Sequence, residues 1–554
     1  MGAAPAFQEI SMKIQVHINE EGAVRNQRYA FTDRFTLVTE LLQNARRAGA
    51  NHIVVEHYAE KQVLRVHDDG RGIGDFQKLL SFHESGWDDA TIAQERPLGI
   101  GFTKCLYAAT RVVVASGRQR VDLDTAASLR REAFEVETLE RPQSGTAIEL
   151  HGVDIADLAQ RIATLCEGFP VDVAFNGQHL ERRCAEDHLA LMATPIGAVH
   201  VAGNRSGKAT RGTLVFLQGF CVKRPAYYTV GEVNVVHLDP EQFMARLPDR
   251  DTLIDADQQL RQVDAQVKLS WRKILQVART QMPARQFVET YFDAMKQWGH
   301  LDLLNDLDAL PAALFERIVG YPIQVAYDQR DYVEPLTTAP ARRDIEEGRV
   351  TVVSLGWPDG ENTGHWMLAK HKQWLTVQAH VLHPDHWLRP HVRYIEDQDL
   401  HIEAQSELAR TTLEGRWVCP LVIVCESVRI RLGDHAVDIL DEGICRDGDI
   451  VVPAGECSGE PVRQLSDFID AQDRYREDEM EADRDALADL IRRLRSSDPV
   501  ETLHSLLNEL QLGKYPLLHG RRFEVAVGVG SAPGCSVDLL TLDPSADGDN
   551  HAER

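Results

Sequence analysis

The stretch ELLQNARRAGA, residues 40–50, places a carboxylate and a carboxamide four residues apart in one predicted helix. The apolar residues of this segment follow the i, i+3, i+4, i+7 spacing of a helix that packs on a core: Val38, Leu41, Leu42 and Ala45. Because each residue turns about 100° around a helix, Glu40 and Asn44 share one flank of that apolar stripe. Polar side chains at the edge of a core need partners, although the same spacing also occurs between two solvated side chains.

Length and composition indicate a globular protein with several domains. The 554 residues are enough for three or four cores, and 43% hydrophobic with 26% charged residues is ordinary for a soluble chain. No window approaches the roughly 18 apolar residues of a spanning helix, and the N-terminal MGAAPAFQEISMK lacks a secretory pattern. Nine cysteines without a CxxC pair predict reduced thiols and a cytoplasmic location.

The formal net charge of −25 argues against a broad surface for nucleic acid or for anionic lipid. Part of the acidic excess lies in DRYREDEMEADRD, residues 473–485, which we expect to form a solvated helix face. We therefore predict no membrane partner and do not favour nucleic acid, although the net charge is compatible with a local basic groove.

The order of elements predicts an α+β protein. In the first domain, residues 1–155, we predict helices on one side of a sheet. Its predicted strands are 11–18, 52–58, 62–69, 111–116 and 144–150, with a turn at 59–61 and a short helix at 75–82. A transducer-like α/β domain, residues 156–300, follows with strands at 212–222 and 233–239 and a helix at 259–281.

The C-terminal half is predicted to be a mixed region. Residues 301–460 form an α/β domain with strands at 350–357, 417–425 and 449–453, and residues 461–543 are mainly helical. In this helical region Asp498 and Pro499 have the N-cap and first-turn preferences of a helix start. Residues 544–554 are predicted to be a disordered tail.

A first glycine signal, HDDGRGIG at 67–74, ends a predicted strand. Period-two alternation places Asp68 on the same face as Leu64 and Val66, where an ionised carboxylate is costly unless it accepts hydrogen bonds. A bound base with an exocyclic amino group would donate one. Gly70 and Gly72 allow a tight turn and close approach to a ligand, although a plain Asx-Gly turn also fits.

Two more glycine signals follow. RPLGIGF, residues 96–102, opens a predicted helix at 102–110, and N–H groups at a helix start suit a phosphate. Gly145 and Thr146 lie in the predicted strand SGTAIEL and are informative only in this order.

Taken in order, ExxxN, DxGxG, a GxG helix start and a late Gly-Thr strand resemble the GHKL ATPases. This superfamily includes the ninety-kilodalton heat-shock chaperones, gyrase-type topoisomerases, histidine kinases and MutL-type repair proteins. The resemblance covers about residues 7–150 and is closest to the heat-shock and MutL-like members. It implies a Bergerat-type α/β sandwich that binds ATP with Mg²⁺.

The resemblance also implies roles for single residues. Glu40 is similar to the general base that activates water, Asn44 to the magnesium ligand, and Asp68 to the carboxylate that reads adenine. The other implied nucleotide contacts are Gly70, Gly72 and Ile73 on the purine side, Gly99, Ile100, Gly101 and Phe102 at the hinge and phosphate loop, and Thr146 near Asp68. Residues 73–98 would form a lid over ATP.

Arg47 departs from the family pattern, since many relatives have an acidic residue three positions after the asparagine. A cation near the phosphates supports nucleotide charge and also suggests altered hydrolysis.

A second resemblance, to the transducer domain of these ATPases, begins after residue 200. In the heat-shock chaperones a loop arginine of that domain reaches the γ-phosphate, and Arg250 in PDRDTL has a comparable place. An ion-paired loop arginine is the alternative interpretation.

Two other segments are interpreted as structural. GNRSGKAT, residues 203–210, has the wrong spacing for a P-loop and is predicted to be a surface loop. The segment HVLHPDHWLRPH, residues 380–391, is rich in histidine, a common metal ligand. However, Pro384 and Pro390 break any helix that would align these histidines.

The resemblance predicts an ATPase that couples hydrolysis to lid closure and to rearrangement of domains or of a homodimer. A chaperone-like or defence-associated role with a protein client fits best. A histidine kinase would need a phosphoacceptor histidine on helices before Glu40, where only 39 residues stand, no metal-binding endonuclease motif is seen, and the net charge of −25 does not favour a basic strand-passage surface. The alternative is a nucleotide-gated binding module with little or no turnover.

Overall fold

A computed structural model provides the three-dimensional description of the chain. The predicted strand at 11–18 lies mostly outside the residues that it describes, and Ile100 and the tail at 544–554 lie wholly outside them. The described residues are 14–15, 19–27, 29, 33–82, 84, 86–88, 91–92, 99, 101–229, 231–246, 250–322, 330–356, 358, 363–395, 400–455, 458–528 and 534–540.

The N-terminal part is a mixed sheet with helices packed on it. Its elements are α1 (Glu20–Gln27), α2 (Thr36–Arg47), β1 (His52–Tyr58), β2 (Val63–Asp68), α3 (Thr103–Ala108), β3 (Arg111–Asp124), α4 (Thr125–Leu129), β4 (Val136–His151), α5 (Leu158–Leu165), β5 (Asp172–Phe175) and β6 (Gln178–His179). The strand order is β3-β4-β2-β1-β5-β6. The predicted pairing of β1 with β2 around a turn at 59–61 is confirmed.

Period-two alternation determines which face of this sheet is buried. Ile53 and Val55 of β1 are fully buried and lie on the same face as Asp68, which pairs with Ile53 across the β1–β2 ladder. The apolar stripe of α2 is buried in the same core, with Val38 and Leu42 both 0% exposed. The α+β class and the packed helix predicted from residues 40–50 are therefore confirmed.

The first sheet runs past the predicted domain boundary at residue 155. Strand β5 pairs in parallel with β1, and β6 continues the sheet to His179. The two paired strands lie 120 residues apart (52 to 172), so no local sequence pattern indicates that the first sheet extends past residue 155.

A second sheet and two long helices follow. The strands are β7 (Met192–Thr194), β8 (Gly197–His200), β9 (Thr213–Leu217), β10 (Phe220–Lys223) and β11 (Asn234–Leu238), in the order β10-β9-β11-β8-β7. The helices are α6 (Ala256–Gln281) and α7 (Ala284–Trp298). The stretch 212–222, predicted as one strand, is a hairpin, because Gln218 and Gly219 both adopt positive φ and turn the chain.

The chain divides into two compact units. One contains Met1–Pro311 with Val381–His386, and the other contains Ala312–His380 with Trp387–Arg554. In the second unit, β12 (Phe315–Ile318), β13 (Val333–Pro335), β14 (Val352–Ser354), β15 (Leu375–Val377) and β16 (Val392–Tyr394) form a sheet in the order β13-β12-β15-β14-β16, with α8 (Arg342–Glu346) and α9 (Thr363–His371). Among the described residues, no helix is both long and apolar enough to cross a bilayer.

The rest of the second unit is a further sheet and a C-terminal helical part. The sheet contains β17 (Leu400–Thr412), β18 (Leu421–Leu432), β19 (His435–Ile439), β20 (Ile444–Arg446) and β21 (Asp449–Pro453). It is followed by α10 (Glu477–Arg495), α11 (Pro499–Glu509) and a hairpin of β22 (Arg522–Val527) and β23 (Cys535–Leu540). The predicted helix start at Asp498 is confirmed, because its carboxylate accepts from the N–H groups of Val500 and Glu501.

The acidic segment 473–485 is not wholly solvated, contrary to our prediction. Met480 and Leu487 of α10 pack in a core with Val422 and Ile450 of the sheet. Asp483 is 0% exposed. Its carboxylate accepts hydrogen bonds from the backbone N–H groups of three consecutive residues, Arg416, Trp417 and Val418. A buried aspartate in a charged run gives no periodic signal that separates it from its solvated neighbours.

Replacing Asp483 by alanine is expected to lower the free energy of unfolding by about 2–4 kcal/mol, because buried N–H groups lose a charged acceptor. Denaturant unfolding followed by tryptophan fluorescence measures the change. Asp485→Ala, on the exposed side of the same helix, is the matched control and should leave stability nearly unchanged. Equal effects of the two substitutions would contradict a special role for Asp483.

Candidate functional site

A cavity of about 690 Å³ lies in the first unit, bounded by α2, the end of β2, the beginning of α3 and the loop that carries Arg250. This volume is in the range of small-molecule binding sites. Most of the site residues expected from the sequence line it: Glu40, Asn44, Asp68, Gly72, Ile73, Gly99, Gly101, Phe102, Thr146 and Arg250. Gly70 lies beside the cavity, where its N–H donates to Asp68 Oδ1 over 2.9 Å.

Asp68 forms the first of two polar ends of the cavity. Its side chain is 7% exposed. Burial raises the pKa of Asp68 above its ordinary value, although hydrogen bonds from the backbone N–H groups of Gly70 and Thr146 act in the opposite direction. Burial makes the ionised form of this carboxylate costly, and a ligand in the cavity that donates a hydrogen bond to it would offset that cost. Asp68 is therefore a candidate group for ligand recognition.

Glycines next to Asp68 are required by space as well as by conformation. A Cβ on Gly145, which has φ +63°, would lie 1.9 Å from the carbonyl oxygen of Asp68. A Cβ on Gly72, which has φ +79°, would lie 2.6 Å from Ser116 Oγ. Ser116 fixes this turn, because its hydroxyl donates to the Gly145 carbonyl and accepts from the N–H of Ile73. The backbone around Asp68 is therefore preorganised.

Glu40 forms the second polar end, and two cations contact it. Its side chain is buried, as is that of Lys104, whose Nζ lies 3.5 Å from Glu40 Oε1. Arg250 Nε donates to the same oxygen over 3.3 Å. A Cβ on Gly101 would lie 2.5 Å from Glu40 Oε2, so a larger residue there would require the Glu40 carboxylate to shift. At this end of the cavity one carboxylate lies between two cationic side chains.

The two ends are separated along α2. Glu40 belongs to the middle of the helix, whereas Ala48, just after its C-terminus, contacts Gly70 at the Asp68 end. The eight residue steps from Glu40 to Ala48 span about 12 Å at 1.5 Å per residue. Asn44 lies midway and also lines the cavity. An elongated ligand with a donor at one end and negative charge at the other matches this arrangement.

No known protein family matches this sequence, and no curated protein is similar to it. A role for the cavity must therefore be inferred from the side chains that line it. The buried carboxylate of Asp68 at one end and the cluster of Glu40, Lys104 and Arg250 at the other constrain the ligand most strongly, and Arg47 and Arg71 add positive charge to the lining.

Arg250 is held in an unusual backbone conformation. Its φ is +57°, in the left-handed region, which a residue with a side chain rarely adopts outside turns. The N–H of Arg250 donates to the carbonyl of Arg246, and the N–H of Arg246 donates to that of Thr252, so that the loop closes on itself. Strained residues of this kind persist where the surrounding structure holds them, which is common at functional sites.

Helix α2 also contacts the second sheet through a pair of amides. Gln43 is fully buried, and its Nε2 donates to Gln218 Oε1 over 2.8 Å. Gln218 lies in the turn between β9 and β10 and has φ +54°. The helix that carries Glu40 and Asn44 is thus joined to the second sheet and to the Arg250 loop by polar contacts.

The predicted lid, residues 73–98, supplies part of the cavity wall where the structure describes it. The predicted helix at 75–82 is a short 3-10 turn, Phe76–Leu79. Arg71 lies over the ring of Trp87 and pairs with Asp88 over 3.0 Å. A hydrogen bond from the N–H of Thr91, together with Arg71, lowers the pKa of Asp88 to about 2.

Lys104, Gln43, Ser116 and the Arg71–Trp87 pair were not predicted from the sequence. The sequence does contain a signal for the burial of Lys104, because this residue is the single charge in the mainly apolar segment LGIGFTKCLYA. A lysine in such a run is buried only with a partner, and Glu40 is that partner here. The sequence contains no such signal for Gln43 or Ser116, because they contact residues that are distant in the chain.

Arg47 lines the cavity. Residues 203–210 form turns without helix or strand, as predicted for a loop. Within the described ranges, the histidines of 380–391 do not belong to any set of three converging metal-ligand side chains.

Proposed function

We propose that the cavity binds ATP with Mg²⁺ and that the chain hydrolyses it. The observation that carries this proposal is the pairing, in one cavity, of a buried acceptor, Asp68, with a buried acid between two cations, Glu40 with Lys104 and Arg250. The ordered resemblance to the GHKL ATPases over residues 7–150 supports the same ligand, with a Bergerat-type domain as its framework.

At the Asp68 end, the carboxylate accepts a hydrogen bond from the exocyclic amino group of adenine. Adenine presents a donor at this position and guanine presents an acceptor. The glycines at 70, 72 and 145 let the backbone approach the base closely, and Ser116 keeps the turn rigid. Binding of this kind selects adenine over guanine without the need for a shape difference.

At the Glu40 end, Lys104 and Arg250 neutralise phosphate charge. Asn44 would hold the magnesium ion, since an amide oxygen is a suitable ligand and Mg²⁺ commonly takes few protein ligands besides phosphate and water. The ion would supply further neutralisation of charge on the phosphates. Gly101 leaves room for the phosphates beside Glu40, because it has no side chain and a Cβ there would press on the Glu40 carboxylate.

For hydrolysis, Glu40 acts as the general base. In the structure its carboxylate is engaged by Lys104 and Arg250. A γ-phosphate between these cations competes for them and leaves a Glu40 oxygen able to accept a proton. Glu40 then takes a proton from a water molecule while the water oxygen bonds to the γ-phosphorus. The bond between that phosphorus and the β–γ bridging oxygen breaks, and ADP and inorganic phosphate are released. Positioning and charge stabilisation supply most of the rate.

Coupling to the second sheet follows from the contacts of α2. Glu40 contacts Arg250 and Gln43 contacts Gln218, so phosphate at the Glu40 end alters two links to the following domain at once. We propose that ATP binding and hydrolysis shift these links and thereby rearrange the domains.

A second candidate function is a nucleotide-gated module with little turnover. It is favoured by the two cations that hold Glu40 and by Arg47 in the cavity wall. In this case ATP would rearrange the links of α2 without being cleaved.

Nucleotide selectivity tests the proposal most simply. Calorimetric titration of the full chain with ATP or GTP, both with Mg²⁺, should show at least about tenfold tighter binding of ATP, because GTP places an acceptor against Asp68. Release of phosphate from bound ATP separates the two candidate functions. Equal affinities, or no binding of ATP, would remove the basis for both.

A further inference from the structure

Two histidines and an aspartate meet on the face of the first sheet opposite to the cavity. His52 begins β1, Asp172 begins the neighbouring parallel strand β5, and the two residues are register partners. His179 lies on β6, where it pairs with Ala174. Because residues 172 and 174 share a face, all three side chains project from one side of one sheet corner. Asp68 pairs with Ile53 and therefore faces the other side.

The three side chains converge on a single point. His52 Nδ1 lies 2.8 Å from Asp172 Oδ2, and His179 Nδ1 lies 3.0 Å from the same oxygen. One atom from each residue can be chosen so that all three lie within 4.8 Å of one another. The two imidazole rings are tilted at 40° with centroids 5.6 Å apart, so that they flank the carboxylate.

We propose that His52, Asp172 and His179 form a binding site for a divalent transition-metal ion, Zn²⁺ in the first instance. Zinc takes imidazole nitrogen and carboxylate oxygen at about 2.0–2.2 Å, which places neighbouring ligand atoms of a tetrahedron about 3.3 Å apart. The separations to Asp172 are already close to this value. Small rotations of the side chains open room for the ion.

The composition of the site determines which ions it takes. Two neutral imidazoles and one carboxylate are borderline ligands that suit Zn²⁺ far better than Mg²⁺ or Ca²⁺, which prefer oxygen alone. Three protein ligands leave one tetrahedral position for water or for an external group.

The site has a defined place in the fold. Asp69, next to Asp68, accepts hydrogen bonds from the backbone N–H groups of Asn51 and His52. A bound ion would thus fix the beginning of β1 where that strand is joined to the Asp68 turn. It would also tie β5 and β6, the last strands of the sheet, to β1. The alternative is that His52, Asp172 and His179 form a hydrogen-bonded cluster that binds no ion.

Zinc titration of the metal-free full chain tests the proposal. The titration is carried out at about pH 7.5, because zinc binds the neutral form of an imidazole. Calorimetry should detect a Zn²⁺ site that is weakened at least about tenfold by His179→Gln, by Asp172→Asn and by His52→Gln. Zn²⁺ should also raise the Tm of the wild type more than that of each variant. His179 is 68% exposed, so its replacement should leave the fold intact.

His188→Gln is the matched control, because His188 is half-exposed, lies beside a single aspartate and is outside the cluster. It should keep the affinity of the wild type. Equal affinity in the wild type and all three cluster variants would place any zinc elsewhere and overturn the proposal. Failure of the wild type to bind Zn²⁺ would also overturn it. Nucleotide is omitted throughout, so neither result depends on the proposed ATPase activity.

Discussion

Replacing Glu40 by glutamine is expected to lower the rate of phosphate release from ATP by roughly 10²–10⁴-fold, the usual contribution of a general base. The amide keeps the size of the carboxylate but cannot accept the proton of water. ATP affinity should change little, because Glu40 does not contact the adenine end. Single-turnover phosphate release and calorimetric binding measure the two effects on the same preparation.

Glu60→Gln is the control, since Glu60 is an exposed glutamate of the turn after β1. Removal of the Glu40 charge also takes away a carboxylate that Lys104 and Arg250 both contact in a buried site, so some loss of stability is expected. Binding should therefore be compared below the onset of unfolding. A Glu40→Gln variant that turns over ATP like the wild type would assign the base to another residue. Absence of turnover in the wild type would favour the nucleotide-gated module.

Replacing Arg250 by alanine is expected to lower turnover by roughly 10-fold to 100-fold while ATP still binds. Arginine fingers contribute about 10³-fold or more in fast phosphoryl transfer, and we expect less in a slow conformational enzyme. The reason is that a permanent positive charge with a planar fork fits phosphate oxygens, and Arg250 is already held at the Glu40 end of the cavity. Steady-state kinetics gives kcat and KM separately, and kcat should carry most of the loss.

Arg246→Ala is the matched control for Arg250, because it removes an exposed arginine of the same loop and keeps the backbone hydrogen bonds that close it. Arg250→Lys should recover only part of the rate, since lysine has charge without the fork. If Arg250→Ala retains full turnover, Arg250 is an ion-paired loop residue with a structural role. That outcome would leave ATP binding intact and remove the coupling through this loop.

Local periodicity was sufficient for the elements that carry the cavity. The stripe of α2 and the alternation of β2 are properties of a few adjacent residues, and both predict burial that the structure confirms for Val38, Leu42 and Asp68. Motif order then indicated which polar residues to consider together. The structure brings most of them to one cavity, whereas their chemical roles remain predictions.

Features created by long-range contacts could not be predicted. The addition of β5 and β6 to the first sheet depends on parallel pairing between segments 120 residues apart. The same pairing brings His52 to Asp172, so that no motif marks the proposed zinc site. The burial of Asp483 likewise depends on a loop at 416–418 that precedes it by more than sixty residues. Such positions look like ordinary surface residues in sequence.

If Asp68 binds the adenine of ATP, Asp68→Asn should weaken ATP binding without lowering the stability of the ligand-free protein. The amide loses the charged acceptor, which costs about 1.5–3 kcal/mol of binding, or at least about tenfold in affinity. Stability without ligand should not fall. Burial raises the pKa of Asp68 in the folded state, so the stability of the wild type is fully present below the ordinary value of 3.8 and declines as pH rises through the folded pKa. Near neutral pH the wild type buries an ionised carboxylate at position 68, whereas the side chain of asparagine is uncharged and avoids that cost.

Parallel calorimetric titrations of the wild type and Asp68→Asn with ATP and Mg²⁺, accompanied by thermal unfolding of both proteins without nucleotide, are the most direct measurement. We predict that the variant binds ATP at least about tenfold more weakly and unfolds at the same or a higher temperature near neutral pH. Equal ATP affinities of the two folded proteins would contradict the claim.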